Sequence, residues 1–240
     1  MRDPYLYKDV DVLENKLGIK DENELNDIER NITASKLMRI DTVKGDFDYD
    51  HYKNIHKFIF GDIFEWAGKE RSVEVHKSEA VLNGMSVRYT YPTDITKTTK
   101  KHLNTLNKTD WANMSVDDRA EQYAKTIAAL WQTHPFREGN TRTTITFACQ
   151  FADAHGFPMD RHIFAERSKY TRDALVMASI GEYSEIGYLS KIFKDSMIRG
   201  AEKQKSMAAS INNKNNTRYD TAINMAVPET ENITDNSYEI

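Results

Sequence analysis

Apolar residues along this chain recur mostly at helical spacing. Ala120, Tyr123, Ala124, Ile127, Ala128 and Trp131 fall at the 3, 4, 7, 8, 11 intervals of one buried helical face. Tyr52, Ile55, Phe58, Ile59 and Ile63 make a second such face. Residues 141–154 contain neither Gly nor Pro, with Phe147, Phe151 and Ala154 on one side. These patterns predict helices over 21–39, 49–64, 94–106, 116–133, 141–156 and 168–199, with breaks at Gly45, Gly68, Pro92, Gly156 and Pro158.

One stretch departs from that period. Val73 and Val75 alternate with polar neighbours, Asn83-Gly84 is a tight-turn dipeptide, and Val87, Tyr89 and Tyr91 alternate again. A β-hairpin is expected there, in an otherwise all-α chain. Its plain structural reading is an edge hairpin that covers part of the core. After Gly200 the chain turns to Asn, Ser and Thr and cannot bury much apolar surface. The expected division is one domain over 1–200 with a short N-terminal arm, then a polar tail over 201–240, helical to about Ser210 and flexible beyond.

Composition narrows the classes. With 240 residues, 39% of them hydrophobic, the chain can bury one sizeable core. A net charge of −4 leaves no broad basic surface, which argues against nucleic acid as a partner. The single cysteine, Cys149, lies in an apolar helix between Phe147 and Phe151, so an inert core thiol is expected and no intrachain disulfide can form. No stretch approaches a membrane span, and the start, Met-Arg-Asp-Pro, carries no apolar segment. The expected location is the cytoplasm, or a host cell reached by secretion without a cleaved signal. The charged run at 20–30 and Lys100-Lys101 are expected to be solvated faces.

The candidate chemistry sits in HPFREGNTR, His134 to Arg142. His134 offers an imidazole whose ordinary pKa is roughly 6.5, suited to taking a proton from an attacking hydroxyl. Glu138 is a hard oxygen ligand suited to Mg²⁺. Gly139 and Asn140 let the backbone approach an anion and present N–H groups to it, and Arg142 has the planar fork that clamps a terminal phosphate. Pro135 ends the preceding helix and Phe136 points inward as an anchor. A helix starting after Gly139 adds unpaired amides and a partial positive charge. An isolated His beside a Pro is most often structural, but here it stands at fixed spacing from an acid and an Arg. A transition-metal site is a poor alternative, because His51, His56, His76, His102, His155 and His162 are scattered.

These residues resemble the signature of Fic domains, His-Pro-Phe-any-Asp/Glu-Gly-Asn-Gly/Lys-Arg, at eight of its nine positions. The segments LENKLGIKDENELNDIER, FIFGDIFEWAGKERSVEV and HGFPMD are also similar to the bacterial Fic pattern, so the resemblance covers roughly residues 5–200. It implies a Fic-type helical bundle with a β-hairpin flap over the active-site loop, and an enzyme that moves AMP from ATP to a Ser, Thr or Tyr hydroxyl of a target protein. His134 would be the base and Glu138 the Mg²⁺ ligand; Gly139, Asn140, Thr141 and Arg142 would bind the nucleotide. Val73, Val75, Val87 and Tyr89 would belong to the flap that holds the target by strand addition.

Two positions depart from the pattern: Thr141 replaces the usual Gly (Lys in the Doc-like kinases), and Ile145 stands where many relatives have a second Arg. The inhibitory Ser/Thr-x-x-x-Glu of such proteins is absent, which points to a separate small antitoxin or to no such control. A toxin or effector role is expected. Transfer of another nucleotide or of a phosphate, and a non-catalytic binding scaffold, are the alternatives.

Overall fold

The computed structural model describes the backbone of residues 2–226 and the side chains of residues 2–210. Eight α-helices are present among them: α1 Glu22–Leu37, α2 Tyr49–Phe60, α3 Ile95–Lys108, α4 Val116–Thr133, α5 Asn140–Ala154, α6 Arg161–Glu166, α7 Ser168–Met177 and α8 Gly187–Ala226. Side-chain caps explain several starts. Asp21 accepts the Glu24 amide, Asp48 that of His51, and Ser115 that of Asp118, each satisfying a first-turn donor.

The residues divide into two units, Met1–Ala201 and Glu202–Ile240. In the first, α2, α4 and α5 pack around a centre of aromatic rings: Tyr52, Tyr123, Trp131, Phe147 and Phe151 are all fully buried. Tyr52 and Phe147 meet edge to face at 5.2 Å, and the buried Tyr123 hydroxyl donates to the Ala148 carbonyl at 2.7 Å. α3 lies against α4, and α1 against α2. The described part of the second unit is the continuation of α8.

Three expectations change. The hairpin between Val73 and Pro92 forms no strand ladder; the one β-bridge among the described residues joins Leu6 to Leu13. Its Asn83-Gly84 turn does form, both residues at positive φ, and the Glu79 amide reaches the Met85 carbonyl at 3.1 Å. No ladder follows from that turn: a 3-10 turn, Ala80–Leu82, fills the tip, and the Lys77 amide is taken by the Ser86 hydroxyl rather than by a backbone carbonyl. The segment is an irregular loop with a tight turn at its tip.

The long helix expected over 168–199 is two helices. α7 stops at Met177 and a 3-10 turn at Gly181–Tyr183 follows, Gly181 taking the left-handed conformation that breaks a helix. Just upstream, Asp160 accepts the His162 amide and starts the short α6, which hydrophobic periodicity did not reveal. α8 runs past Ser210 to Ala226, consistent with the lack of Gly or Pro between Ala201 and Ala226. The flexible tail expected from about residue 211 is instead helical as far as Ala226, and its remainder, 227–240, lies outside the described residues.

Candidate active site

α4 delivers His134 to the site as its C-cap, with φ 47° and ψ 56°. A non-glycine residue in this left-handed region stores roughly 1–3 kcal/mol of strain, which the surroundings must hold. They do so through the backbone. The His134 amide donates to the Trp131 carbonyl at 3.0 Å, and its carbonyl accepts the Arg71 Nε–H at 2.7 Å. The imidazole stacks on Tyr89 with 3.9 Å between centroids and meets the Trp131 ring edge on.

Both ring nitrogens of His134 are buried without a hydrogen-bond partner. Burial, followed by the positive charge of Lys77 and only partly offset by Glu138, holds its pKa well below the ordinary histidine value. The ring is therefore neutral near pH 7, and one of its nitrogens carries an unshared lone pair.

The next residues close a rigid loop. Asn140 Oδ1 accepts the Phe136 amide at 2.9 Å while its Nδ2 donates to the Phe136 carbonyl at 2.7 Å. The Asn140 side chain thus belongs to the loop's own framework, and what it leaves for an anion is its backbone amide. Phe136 is fully buried between Tyr52 and His56, the latter ring stacked at 3.8 Å. Gly139 caps α5 at φ 78°, where a Cβ would lie 2.3 Å from the Phe60 ring. Only glycine fits that corner.

Glu138 accepts Lys77 Nζ on Oε2 at 2.6 Å and the Gly139 amide on Oε1 at 2.9 Å. Burial alone would raise its pKa, but the Lys77 ammonium and these hydrogen bonds prevail and hold the carboxyl at about 2. A fully ionised, hard oxygen donor suits Mg²⁺, which commonly takes one or two carboxylates and completes its shell with water and substrate phosphate. No group of three or more His, Cys, Asp or Glu with metal-site geometry exists among the described residues. Glu138 therefore fits a cation shared with a ligand rather than one caged by protein.

Beyond Glu138 the first-turn amides of α5 face a cavity of about 940 Å³, bordered by His134, Lys77, Thr141, Arg142 and Arg172 and, further along α5, by Ile145 and Cys149. Arg142 donates from one Nη1 to Glu29 Oε1 at 3.2 Å and to Thr33 Oγ1 at 2.9 Å, both on α1. Glu29 lies in the run expected to face solvent, yet its side chain is 13% exposed. The charge pattern around it matches a solvated helix, and only the tertiary position of α1 turns this carboxylate inward.

The residues expected in the flap are placed unevenly. Val75, Val87 and Tyr89 are buried and Val73 half-buried, so these side chains belong largely to the core rather than to an exposed docking face. Several site residues escaped sequence reasoning. Arg71 donates to the carbonyls of Val73 at 2.7 Å and Thr90 at 2.5 Å as well as to His134, pinning both ends of the flap to the loop. His56 receives the Gly68 amide on Nδ1 at 2.8 Å, so its Nε2 carries the proton and donates to the Glu138 carbonyl at 3.0 Å. Arg172 and the buried Glu79 pair at 2.6 Å, joining α7 to the flap. Arg71 lies within a segment that resembles the family; His56 and Arg172 lie outside those segments and carried no local signal.

The sequence profile of the Fic/DOC family matches residues 46–152, from the turn before α2 to the last turns of α5. Protein adenylyltransferase VbhT of Bartonella schoenbuchensis is 34% identical over 177 residues, which are 72% of this chain and 35% of VbhT. The probable protein adenylyltransferase y4lH of Sinorhizobium fredii is 28% identical over 190 residues, 78% of this chain and 93% of that protein. This chain thus spans about a third of the first relative and nearly all of the second. The structure of the translocated effector BepC from Bartonella tribocorum with bound AMPPNP is similar at a TM-score of 0.67 and 26% identity, covering 80% of this chain and 95% of that one. A translocated Bep effector Fic domain from Bartonella quintana with bound ADP gives 0.64 and 26%, covering 80% and 93%. A helical bundle with a His-Pro-Phe loop between two buried helices, matched in sequence profile, in relatives and in solved folds, has one reading: this chain belongs to the Fic/DOC family.

Proposed function

We propose that this protein is a protein adenylyltransferase that moves AMP from ATP to a Ser, Thr or Tyr hydroxyl of another protein. The observation that carries the reading is His134: a neutral imidazole with unpartnered nitrogens, fixed by its backbone at the rim of a cavity that also holds Arg142 and the amides of α5. The target hydroxyl gives its proton to the His134 ring as its oxygen bonds to the α-phosphorus. The bond from that phosphorus to the α–β bridging oxygen breaks, and pyrophosphate leaves with the electron pair. Arg142 and the first-turn amides of α5 hold the phosphate oxygens, which suits a reaction governed by positioning and charge neutralisation. Glu138 would hold Mg²⁺, whose contribution when bound is to neutralise phosphate charge.

The target segment docks along the flap, where Arg71 fixes the backbone beside Tyr89 and His134 and main-chain groups remain to pair with an added strand. Relatives named protein adenylyltransferases and neighbours titled translocated effectors support an effector or toxin role. Among the described residues no helix is long and apolar enough to cross a membrane. Glu29 places a carboxylate on Arg142 from within the chain, and a small separate antitoxin is the further partner expected to restrain the site.

Incubation with a cell lysate, Mg²⁺ and ATP labelled separately at the α and γ positions tests the reading. α label on protein, lost in His134→Ala, is the expected result. γ label would assign phosphate transfer instead, and α labelling that survives His134→Ala would remove the proposed base.

A further inference from the structure

Thr141, in the first turn of α5, replaces the usual glycine of the signature, and its hydroxyl has a defined set of partners. Trp131 Nε1–H donates to Oγ1 at 2.9 Å, and Arg172 Nη1 donates to it at 3.4 Å. A threonine hydroxyl has two acceptor lone pairs and one proton. Neither an indole N–H nor a guanidinium can accept, so both lone pairs face donors and the hydroxyl can serve a further group only by donating.

Its neighbours behave differently. Thr143 and Thr144 turn their hydroxyls back onto the carbonyls of Gly139 and Asn140, at 3.0 Å and 2.8 Å. Thr141 has no such carbonyl, since the residue four before it lies in the loop, and its proton has no acceptor among the described residues. It borders the cavity beside Arg142 and the α5 amides. Its two supports are fixed: Trp131 is fully buried, and Arg172 is tied to Glu79 at 2.6 Å.

We propose that Thr141 Oγ1 donates a hydrogen bond to a phosphate oxygen of the bound nucleotide, with Trp131 and Arg172 as positioning residues that force the hydroxyl into the donor role. This rests on the nucleotide reading above and deepens it. The glycine of other family members is thereby exchanged for one additional aimed donor at the phosphate end of the cavity.

Calorimetric titration of the full chain with AMPPNP and Mg²⁺, and with adenosine, tests the assignment. Thr141→Val, nearly the same shape without the O–H, should bind AMPPNP about tenfold more weakly, as expected for losing one hydrogen bond to a charged acceptor. Adenosine, which lacks phosphate, should bind both proteins alike. Thr141→Ser should restore AMPPNP binding to within about threefold, and Trp131→Phe, which removes the positioning N–H, should fall between. Equal AMPPNP affinity in Thr141→Val and the parent chain overturns the proposal, as does an equal loss for adenosine. If neither the parent chain nor Glu29→Gln binds AMPPNP, the nucleotide reading falls with it.

Discussion

The guanidinium of Arg71 holds the backbone of His134: Nε donates to the His134 carbonyl at 2.7 Å, and the Arg71 amide donates to the carbonyl of the following Pro135 at 2.8 Å. The same side chain, almost wholly buried, reaches Val73 and Thr90 with its two remaining nitrogens. One residue thus fixes the backbone of the proposed base, His134, together with that of Val73 and Thr90.

A lysine cannot span that fork. Arg71→Lys should leave at least one of these carbonyls without its donor and lower stability by about 2–4 kcal/mol in urea unfolding. It should also speed proteolytic cleavage of the flap under native conditions. Wild-type stability in this variant would mean that the three contacts do not hold the loop.

Gly139→Ala sets a methyl group 2.3 Å from the Phe60 ring at a backbone φ of 78°. Clash and left-handed strain together should cost at least about 2 kcal/mol. Trimming the ring with Phe60→Leu should recover part of the loss in the double variant, since it relieves the clash and leaves the strain. Independent, additive effects of the two changes would refute the proposed contact.

Glu29 would compete with a bound phosphate for Arg142. Burial raises the pKa of Glu29 while Arg142 opposes the rise. Glu29→Gln should release Arg142 from its ionic partner and tighten AMPPNP binding about fivefold to tenfold, because the competent conformer becomes more populated. Arg142→Gln should weaken binding in either background. Unchanged affinity in Glu29→Gln would show that this ion pair does not restrain the site.

Acid should destabilise the fold through His56. Burial pushes its pKa down to about 4, against an ordinary value near 6.5. Between those values the unfolded chain binds a proton that the folded chain does not, so this contribution to stability is complete above about pH 6.5 and is lost as pH falls towards 4. The slope attributable to His56 is about 1.4 kcal/mol per pH unit. Urea unfolding at pH 7 and pH 5 should show a shallower dependence in His56→Gln than in the parent chain, and parallel lines would count against the assignment.

What could be read from the residue order follows from how local each cause is. α4 was readable to its ends because Ser115 caps it and Pro135 forbids its extension past the loop. The signature loop was readable because its chemistry lies within nine consecutive residues, and the profile match over 46–152 agrees with it. The contacts that support the loop were not, since Arg71, His56 and Glu29 reach it across 63, 82 and 113 residues of sequence. Alternation at Val73, Val75, Val87 and Tyr89 marked an inward face, buried at the last three, but it said nothing of whether two segments pair. Pairing is a property of both backbones, and here a 3-10 turn and the Ser86 hydroxyl interrupt it.

The Asn140 side-chain carboxamide holds the Phe136 peptide through two hydrogen bonds, one accepted and one donated. A carboxamide is chemically a peptide group, so the loop is closed on itself as if by an additional backbone unit, without a covalent link. On the proposed reading, an arriving nucleotide would meet a finished ring and lose little affinity to ordering it. The loop is assembled while the chain folds, before any ligand arrives.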